Sequence, residues 1–424
     1  MKVLVIGGGG REHAIAWKMS GSKHINEIYC SPGNAGIAEI AECIDLSPSD
    51  FSALIDFVKS EWIDLTIVCS EKFLARGIVN AFEREGCKIL GPDRTASQIR
   101  SSRVFTKNLL RLHRLPTAEY KVFTSYLHAQ DHIRLKGAPV VIKTGGYSED
   151  GIFIASTVEE ATDILKLIMK DRFFGDAGRQ VIIEENLRGE RMSFLALTDG
   201  KTIMPLTSLY IHRSKLNNRT GPATAVAGAC SPVPFLKGGF QAYLLEKIMN
   251  PLLKAFNAEG IKYKGFISAD LIVDKEKAHI FELDCCLGSL DAQTILPRLK
   301  TDLMDLVSAV TEERLSDTVI TWRQKASVCI VVYSKGRTPD YQKDLMKGLE
   351  KIKSMEDIVI FHEHSSFDDG NGFVPGSRIF SVTSTGSDIE DAKTKAYNAL
   401  GKIHFDGMHY SKDIGNILLS KEQI

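Results

Sequence analysis

A lysine at the end of an apolar run, followed by a glycine-bearing loop, is the first group in this chain that could handle phosphate. Lys143 follows the apolar residues 140–142, and three glycines occur between it and the next apolar run, Ile152–Ala155. Glycines let backbone N–H groups approach an anion closely, and a lysine beside them suits a nucleotide phosphate. The plainer interpretation is an ordinary β-hairpin with one exposed lysine. Taken alone, this stretch favours the plainer interpretation.

Two carboxylates in a second apolar segment have the spacing of metal ligands. Glu282 and Asp284 are two positions apart in a predicted strand, so both side chains point to one face of it. Carboxylate oxygens are the ligands that hard cations such as Mg²⁺ prefer. The alternative is a pair of solvent-facing acids.

A glycine run near the start invites a dinucleotide-binding interpretation, which fails on its details. Gly7–Gly10 follow an apolar strand, but Glu12 stands where the third glycine of the fingerprint belongs, and the second strand ends Tyr29-Cys30-Ser31 without the acid that binds ribose. The loop can still hold an anion at the start of the helix that begins at Arg11. Residues 32–36 follow the second strand at the sheet edge where open α/β sheets bind ligands, although a plain turn has the same sequence features.

Composition limits the class of protein. A chain of 424 residues with zero net charge predicts two to four domains and no global field for nucleic acid or an anionic membrane. No apolar run approaches the length of a bilayer span, and the apolar start is typical of a first strand rather than a signal peptide. The eight cysteines show no paired metal-binding spacing, which favours reduced thiols in a cytoplasmic protein.

The order of predicted elements sets the fold class as α/β. Strands and helices alternate through residues 1–100, which predicts a doubly wound parallel sheet. Further elements include a helix over 101–113 carrying Lys107, a polar segment at 211–232 that predicts a long functional loop, and a strand with its turn at 278–291. Strands and one helix from residue 326 onward predict a separate, small α+β domain over 326–424.

Motifs in order along nearly the whole chain resemble those of the glycinamide ribonucleotide synthetase family of ATP-grasp ligases. They are residues 7–14 (GGGGREHA), 32–36 (PGNAG), 184–187 (EENL), 281–284 (FELD), 296–300 (LPRLK) and 405–415 (FDGMHYSKDIG), together with Lys107 and Lys143. The resemblance implies an ATP-grasp domain over 101–325 with a small lid at about 120–189. It also implies ATP-dependent joining of glycine to 5-phosphoribosylamine through an acyl phosphate, in purine biosynthesis, with ATP and Mg²⁺ (or Mn²⁺) as cofactors.

The same resemblance assigns roles to particular residues. Lys107 and Lys143 would hold ATP phosphates, Lys143 and Arg298 would serve catalysis, and Glu282 and Asp284 would bind the metal. The remaining nucleotide contacts would come from Glu184, Glu185, Asn186, Leu187 and Glu190. Substrate contacts would come from Gly9, Gly10, Arg11, Asn34, Arg298 and Lys300. The implied partners are small molecules without nucleic acid or membrane, and the implied state is a monomer or weak dimer.

Several active-site positions depart from the family pattern. Asp150 replaces the lysine of the lid loop, and Cys286 and Ser289 replace the arginine and the acid that follow the metal strand. Residues 220–229 (TGPATAVAGA) lack the asparagine and two glycines of the family's glycine-site segment. Two alternatives therefore stay open: a related ligase for a different carboxylate and amine, or a nucleotide-binding homologue without catalysis.

Overall fold

We describe the protein from a computed structural model. It describes residues 1–148, 150–214, 225–234, 239–275, 277–334, 348–349, 351–363, 378–405 and 407–422. The glycine-site residues 220–224, Glu149 of the lid loop and Asp406 of the last motif lie outside these ranges. Among the described residues, no helix combines the length and the apolar character needed to cross a membrane.

The N-terminal part is the doubly wound parallel sheet that the sequence predicts. Its strands are β1 (Lys2–Gly7), β2 (Glu27–Pro32), β3 (Glu42–Cys43), β4 (Leu65–Val68) and β5 (Ile89–Leu90). Its helices are α1 (Gly10–Ser20), α2 (Phe51–Ser60), α3 (Glu71–Ala75) and α4 (Ile78–Arg84). The strand order is β3-β2-β1-β4-β5, and all pairs are parallel. Gly77 separates α3 from α4, because it adopts φ 85°, a left-handed conformation that favours glycine.

The helix predicted over 101–113 is present, and a second, short helix precedes it. They are α5 (Gln98–Ser101) and α6 (Arg103–Leu112). Ser102 between them is extended, and its hydroxyl accepts a hydrogen bond from the Phe105 N–H, so it acts as the N-cap of α6. This break places Arg100 at the end of one helix and Arg103 at the start of the next, and both side chains contact Glu282.

The lid is a small antiparallel sheet with a hydrophobic core of its own. Its elements are β6 (Tyr120–Phe123), α7 (Tyr126–Lys136), β7 (Val140–Thr144), β8 (Ile152–Ala155), α8 (Val158–Leu165) and β9 (Val181–Glu185). The strand order is β6-β9-β7-β8, and Ile133, Ile142 and Ile183 belong to a cluster separate from the main core. A π-helical turn, Lys166–Lys170, extends α8, and the Thr157 side chain caps the start of α8 by accepting from the Glu160 N–H.

The central sheet contains the FELD motif of residues 281–284. Its strands are β10 (Glu190–Thr198), β11 (Ile203–Ser214), β12 (Ala225–Ser231), β13 (Gly265–Asp274) and β14 (Lys277–Asp284). Its helices are α9 (Phe240–Leu244), α10 (Asn250–Ala258), α11 (Ser289–Ile295) and α12 (Leu303–Thr311). The prediction of a long loop over 211–232 is wrong for its described residues, because most of them lie in β11 and β12. These two strands pair in antiparallel register, with Tyr210 opposite Cys230.

The C-terminal elements continue this sheet. They are β15 (Ala326–Ser334), β16 (Ile358–His362), β17 (Arg378–Gly386), α13 (Ile389–Leu400), β18 (Met408–His409) and α14 (Asn416–Glu422). The small α+β domain that the sequence predicts is present, and its strand β15 also pairs with β12, with Cys329 opposite Ala229. The shared sheet brings the end of β16 against the N-terminal glycine loop, where His362 donates its N–H to Nδ1 of His13 at 2.9 Å.

Candidate active site

Lys143 is the centre of a buried cluster of charges where the lid meets the central sheet. Its side chain is fully buried, and its Nζ donates to the Phe281 carbonyl at 2.6 Å. The same Nζ lies 2.9 Å from Oε1 of Glu282 and 3.2 Å from Oε2 of Glu184. A buried ammonium without such partners would be strongly unfavourable. The lysine is therefore held in place by carboxylates at the end of β7.

Lys107 reaches the same cluster from α6. Its Nζ lies 2.9 Å from Oε1 of Glu184 and donates to the Thr117 hydroxyl at 2.6 Å. Burial lowers the pKa of Lys107 to about 8, with Glu184 acting in the opposite direction. The structure thus brings together both predicted phosphate lysines. Both lysines pair with the Glu184 carboxylate, whose predicted nucleotide contact stays a prediction.

Glu282 is surrounded by cations. Its Oε2 accepts from Nε of Arg103 at 2.9 Å and from Nη1 of Arg100 at 3.2 Å, while Oε1 faces Lys143. Burial by itself would raise the pKa of Glu282, but Lys143, Arg103 and Arg100 outweigh it and hold the pKa well below its ordinary value. Glu282 is therefore an anion throughout the physiological pH range.

Asp284 has a different environment from its neighbour on the strand. Burial raises the pKa of Asp284 to about 7; Arg100 opposes the shift, and the nearby acids Glu71 and Asp291 reinforce it. A nearby cation would stabilise the ionised form of Asp284. The carboxylate oxygens of Glu282 and Asp284 are the type of ligand that a hard divalent ion prefers. Arg100 already spans them, since its Nε lies 3.4 Å from Oδ2 of Asp284. A metal ion bound by both carboxylates would have to displace it.

A small apolar cluster adjoins the charges. It consists of Val141, Ile152, Leu187, Ile272 and Phe281. Apolar side chains beside a few polar groups are the usual lining of a site for a flat aromatic base. Of the predicted nucleotide contacts, Leu187 belongs to this cluster.

The other predicted nucleotide contacts lie around that segment. The exposed Glu185 accepts from the Glu119 N–H at 3.0 Å, and Asn186 is half-buried. Glu190 begins β10 opposite Val273. Their roles towards a nucleotide stay predictions.

The N-terminal glycine loop presents N–H groups that already hold protein carboxylates. The Gly9 N–H donates to Oε2 of Glu12 at 3.0 Å, and the Gly10 N–H donates to Oε2 of Glu363 at 3.3 Å. Arg11 pairs with Glu12 and Glu71 and donates to the Leu287 carbonyl. The loop therefore has the anion-binding character that the sequence predicts, with carboxylates of the protein in place.

Asn34 is used for structure. Its Nδ2 donates to the carbonyls of Gly8 at 2.8 Å and His362 at 3.1 Å, and its Oδ1 accepts from the N–H groups of Gly36 and Ile37. The side chain ties the glycine loop to β16. Its predicted substrate contact would require these bonds to be exchanged.

Two adjoining cavities connect the parts of the site. The larger, about 390 Å³, is lined among others by Gly9, Arg11 and Glu363. The smaller, about 200 Å³, is lined among others by Glu282 and Asp284. Both are lined by Arg100, Arg213 and Arg378. Guanidinium groups on the walls favour anionic ligands such as phosphate and carboxylate.

Arg298 and Lys300 are not brought to these cavities. Arg298 is buried, its Nη1 donates to the Ser231 hydroxyl at 2.7 Å, and its guanidinium stacks on Trp322 at 5.5 Å. Lys300 is exposed at the start of the segment that leads to α12. Neither residue lines either of the two cavities above, and their catalytic and substrate roles stay predictions.

Three site residues were missed by the sequence interpretation. Arg103 is four positions before Lys107 on α6, and this spacing, which puts both on one helix face, could have revealed it. Arg100 precedes the helix break, and Glu363 follows a strand far along the chain. No local pattern points to either of them.

Comparison with known proteins gives the family. Three protein-family models of phosphoribosylglycinamide synthetase match this chain. The N-domain model matches residues 1–100, the ATP-grasp (A) domain model residues 101–292 and the C-domain model residues 327–417. The chain is 38% identical over 416 residues to the phosphoribosylamine–glycine ligase of Caldanaerobacter subterraneus, covering 98% of this chain and 99% of the relative. It is 37% identical to the Escherichia coli K12 enzyme of the same name, covering both chains completely.

Solved structures agree at the level of fold. A phosphoribosylamine–glycine ligase from Thermotoga maritima superposes with a TM-score of 0.78 at 23% identity, covering 98% of this chain and 100% of the other. The biotin carboxylase domain of a 2-oxoglutarate carboxylase from Hydrogenobacter thermophilus, solved with MgADP, gives 0.71 at 14% identity and covers 100% and 94%. The resemblance seen in the sequence motifs is thereby confirmed, and the chain belongs to the phosphoribosylglycinamide synthetase family of ATP-grasp ligases.

Proposed function

We propose that this protein is an ATP-dependent carbon–nitrogen ligase that joins glycine to 5-phosphoribosylamine, giving glycinamide ribonucleotide, ADP and phosphate. The observation that carries the proposal is the 37% sequence identity to the Escherichia coli phosphoribosylamine–glycine ligase over the full length of both chains. The clustering of Lys107, Lys143 and Glu282 where the lid meets the central sheet supports it.

The chemistry asks for positioning and charge neutralisation rather than for a protein nucleophile. The glycine carboxylate attacks the γ-phosphorus and ADP leaves, which gives an acyl phosphate. The amine nitrogen then attacks the acyl carbon and expels phosphate, losing a proton. Lys143 and Lys107 would hold the phosphate oxygens while the γ-phosphoryl group passes from ADP to the glycine carboxylate. The arginines on the cavity walls suit the phosphate of the amine substrate and the carboxylate of the amino acid.

Divalent metal belongs with ATP in this reaction. When bound with the nucleotide, Mg²⁺ would supply positive charge to the phosphates. Glu282 and Asp284 are the residues that the sequence predicts for this ion, and Arg100 lies between them. The apolar cluster that includes Val141, Leu187 and Phe281 would take the adenine.

ADP release in the presence of ATP, Mg²⁺, glycine and freshly made 5-phosphoribosylamine tests the proposal. We expect turnover that needs both substrates and is lost in Lys143→Met. Lys121→Met is the matched control, because that lysine lies on the outer strand β6 of the lid and is exposed. The absence of glycine-dependent turnover in a folded protein that binds ATP would remove this assignment.

A ligase for a different amine is the second candidate, and one contact favours it. Oε2 of Glu363 accepts from the Gly10 N–H, at the start of α1 where an anionic substrate group would bind. An amine without a phosphate would leave this contact undisturbed. A panel of amines offered with glycine and ATP separates the two candidates by which amine stimulates ADP release.

We also infer a cytoplasmic protein that acts on small molecules as a monomer or weak dimer. All eight cysteines are free thiols, which is typical of a reducing compartment. Light scattering across a range of protein concentrations tests the oligomeric state.

A further inference from the structure

Arg100 lies between the two carboxylates that are predicted to bind metal. Its Nη1 is 3.2 Å from Oε2 of Glu282, and its Nε is 3.4 Å from Oδ2 of Asp284. Glu282 and Asp284 occupy alternate positions of β14, so their side chains share one face and a single cation can reach both. The guanidinium stands where that cation would stand.

The position of Arg100 is fixed from the other side as well. Its Cζ lies 4.5 Å from the centre of the Tyr147 ring, which belongs to the lid loop. The Tyr147 N–H also donates to the Ser101 carbonyl at 3.0 Å, so the loop is docked on the end of α5. Only 16% of the Arg100 side chain is exposed. Two carboxylates and a stacked aromatic ring therefore hold this guanidinium, unlike an arginine on the protein surface.

A metal ion and this guanidinium exclude each other. Mg²⁺ binds carboxylate oxygens at about 2.0–2.1 Å in near-octahedral geometry, which requires the space between Glu282 and Asp284 to be free. Two further cations, Lys143 and Arg103, already contact Glu282. The positive charge that a metal would supply to this pair is thus present as protein side chains.

We propose that Arg100 takes the place of a divalent cation between Glu282 and Asp284. The free protein then does not bind metal through this pair, and the divalent ion of the reaction arrives on the phosphates of the nucleotide. Arg100 is left as a fixed cation that faces these phosphates across the cavity it lines. The inference rests on the proposed function only in taking this cavity as the nucleotide site.

Mn²⁺ titration without nucleotide, followed by electron paramagnetic resonance, is the direct test. We expect the wild-type protein to bind Mn²⁺ weakly and Arg100→Gln to bind it at least about tenfold more tightly, because a charge next to the ion is removed. The gained site should be lost in the double variant Arg100→Gln/Asp284→Asn. Arg84→Gln removes the same charge at an exposed position of α4 and should leave Mn²⁺ binding at the wild-type level. Equal Mn²⁺ affinity in wild type and a folded Arg100→Gln would overturn the proposal.

A measurement on the wild type alone covers the case in which the variant does not fold. The affinity for ADP, measured by calorimetry, should fall by no more than about tenfold when EDTA replaces Mg²⁺. Lys107, Lys143 and Arg100 remain at the proposed phosphate site under both conditions. A loss of more than about a hundredfold contradicts the proposal. Neither measurement depends on turnover. If Mn²⁺ binding follows the expected pattern but glycine-dependent turnover is absent, the result counts against the ligase function alone.

Discussion

Nζ of Lys143 lies 3.2 Å from Oε2 of Glu184, and neither side chain has any exposed surface. Glu184 also pairs with Lys107, so one carboxylate holds both lysines that we propose to bind phosphate. This carboxylate compensates charges that would otherwise be buried and unpaired. In the proposed function it would also keep the two lysines in place beside the phosphates of a bound nucleotide.

Glu184→Gln should therefore destabilise the free protein strongly and increase its response to nucleotide. Removing one partner of a buried ion pair costs about 3–5 kcal/mol. We expect the free energy of unfolding in urea to fall by about that amount, and ADP to raise the melting temperature more than in wild type because its phosphates replace the lost charge. Glu185→Gln, one position along and exposed, is the control and should change stability by less than about 0.5 kcal/mol. Similar losses in both variants would contradict the role given to Glu184.

His13 should make the protein sensitive to mild acid. Burial lowers the pKa of His13 to about 3, with His362 adding to the shift, and Nδ1 must stay unprotonated to accept from the His362 N–H. Because the folded pKa lies below the unfolded value, the unfolded state binds more protons between pH 6.5 and 3. Stability is complete above pH 6.5 and falls as the pH drops through this window. At pH 5 the loss from this residue is about 2 kcal/mol.

Urea unfolding at a series of pH values measures this effect. His13→Asn is the informative variant, since an amide oxygen can accept the His362 N–H without titrating. The difference in unfolding free energy between wild type and His13→Asn should change with pH between pH 6.5 and 5. A constant difference across that range would show that His13 does not contribute the pH dependence.

Glu363 should limit access of a phosphorylated substrate to the glycine loop. Its carboxylate accepts from the Gly10 N–H and from Nε2 of Gln293 at 2.6 Å. Glu363→Gln keeps the shape of the side chain and removes the competing charge at the start of α1. An anion at a helix N-terminus gains about 0.3–1 kcal/mol, so we expect KM for 5-phosphoribosylamine to fall by about twofold to fivefold. The KM for ATP is the internal reference, and an equal change in both would contradict a local effect.

The parts of the fold that follow from the sequence are those set by local patterns. The hairpin of Lys143 was predictable because a β-branched run, a glycine-bearing loop and a second apolar run follow one another. The alternation of strands and helices in residues 1–100 gave the parallel sheet in the same way. The motif order indicated the family, and it also singled out Lys107 and Lys143, which both pair with Glu184 in one buried cluster.

The parts that do not follow depend on contacts between distant segments. The pairing of β12 with β15 joins residues about a hundred positions apart, and no local pattern carries it. The split between α5 and α6 depends on Ser102 acting as a cap inside an otherwise helical pattern. Glu363 reaches Gly10 only through the packing of β16 on the glycine loop. Arg100 is unremarkable in sequence, and its meaning comes from the two carboxylates it spans.

Arg103 should control the order of the lid loop. Its Nη1 donates to the Thr144 hydroxyl at 2.8 Å and to the Gly146 carbonyl at 3.0 Å, and its Nη2 donates to the Ser148 carbonyl at 2.9 Å. Arg103→Gln loses most of these bonds, each contributing about 0.5–1.5 kcal/mol, while the Thr144 hydroxyl still donates to the Gly146 carbonyl and the Gly151 N–H to the Ser148 carbonyl. We expect faster hydrogen exchange at residues 144–148, with the core strand β1 unchanged.

Arg111→Gln is the control for this prediction. Arg111 lies on the same helix but is exposed and stacks on Tyr120 at 5.3 Å, away from the loop. Hydrogen exchange followed by mass spectrometry compares the two variants with wild type. Faster exchange spread over the whole lid sheet in Arg103→Gln would mean that the residue supports the fold of the lid in general. Faster exchange confined to the loop would mean that one guanidinium on α6 couples the order of this loop to Glu282, because the same group contacts both.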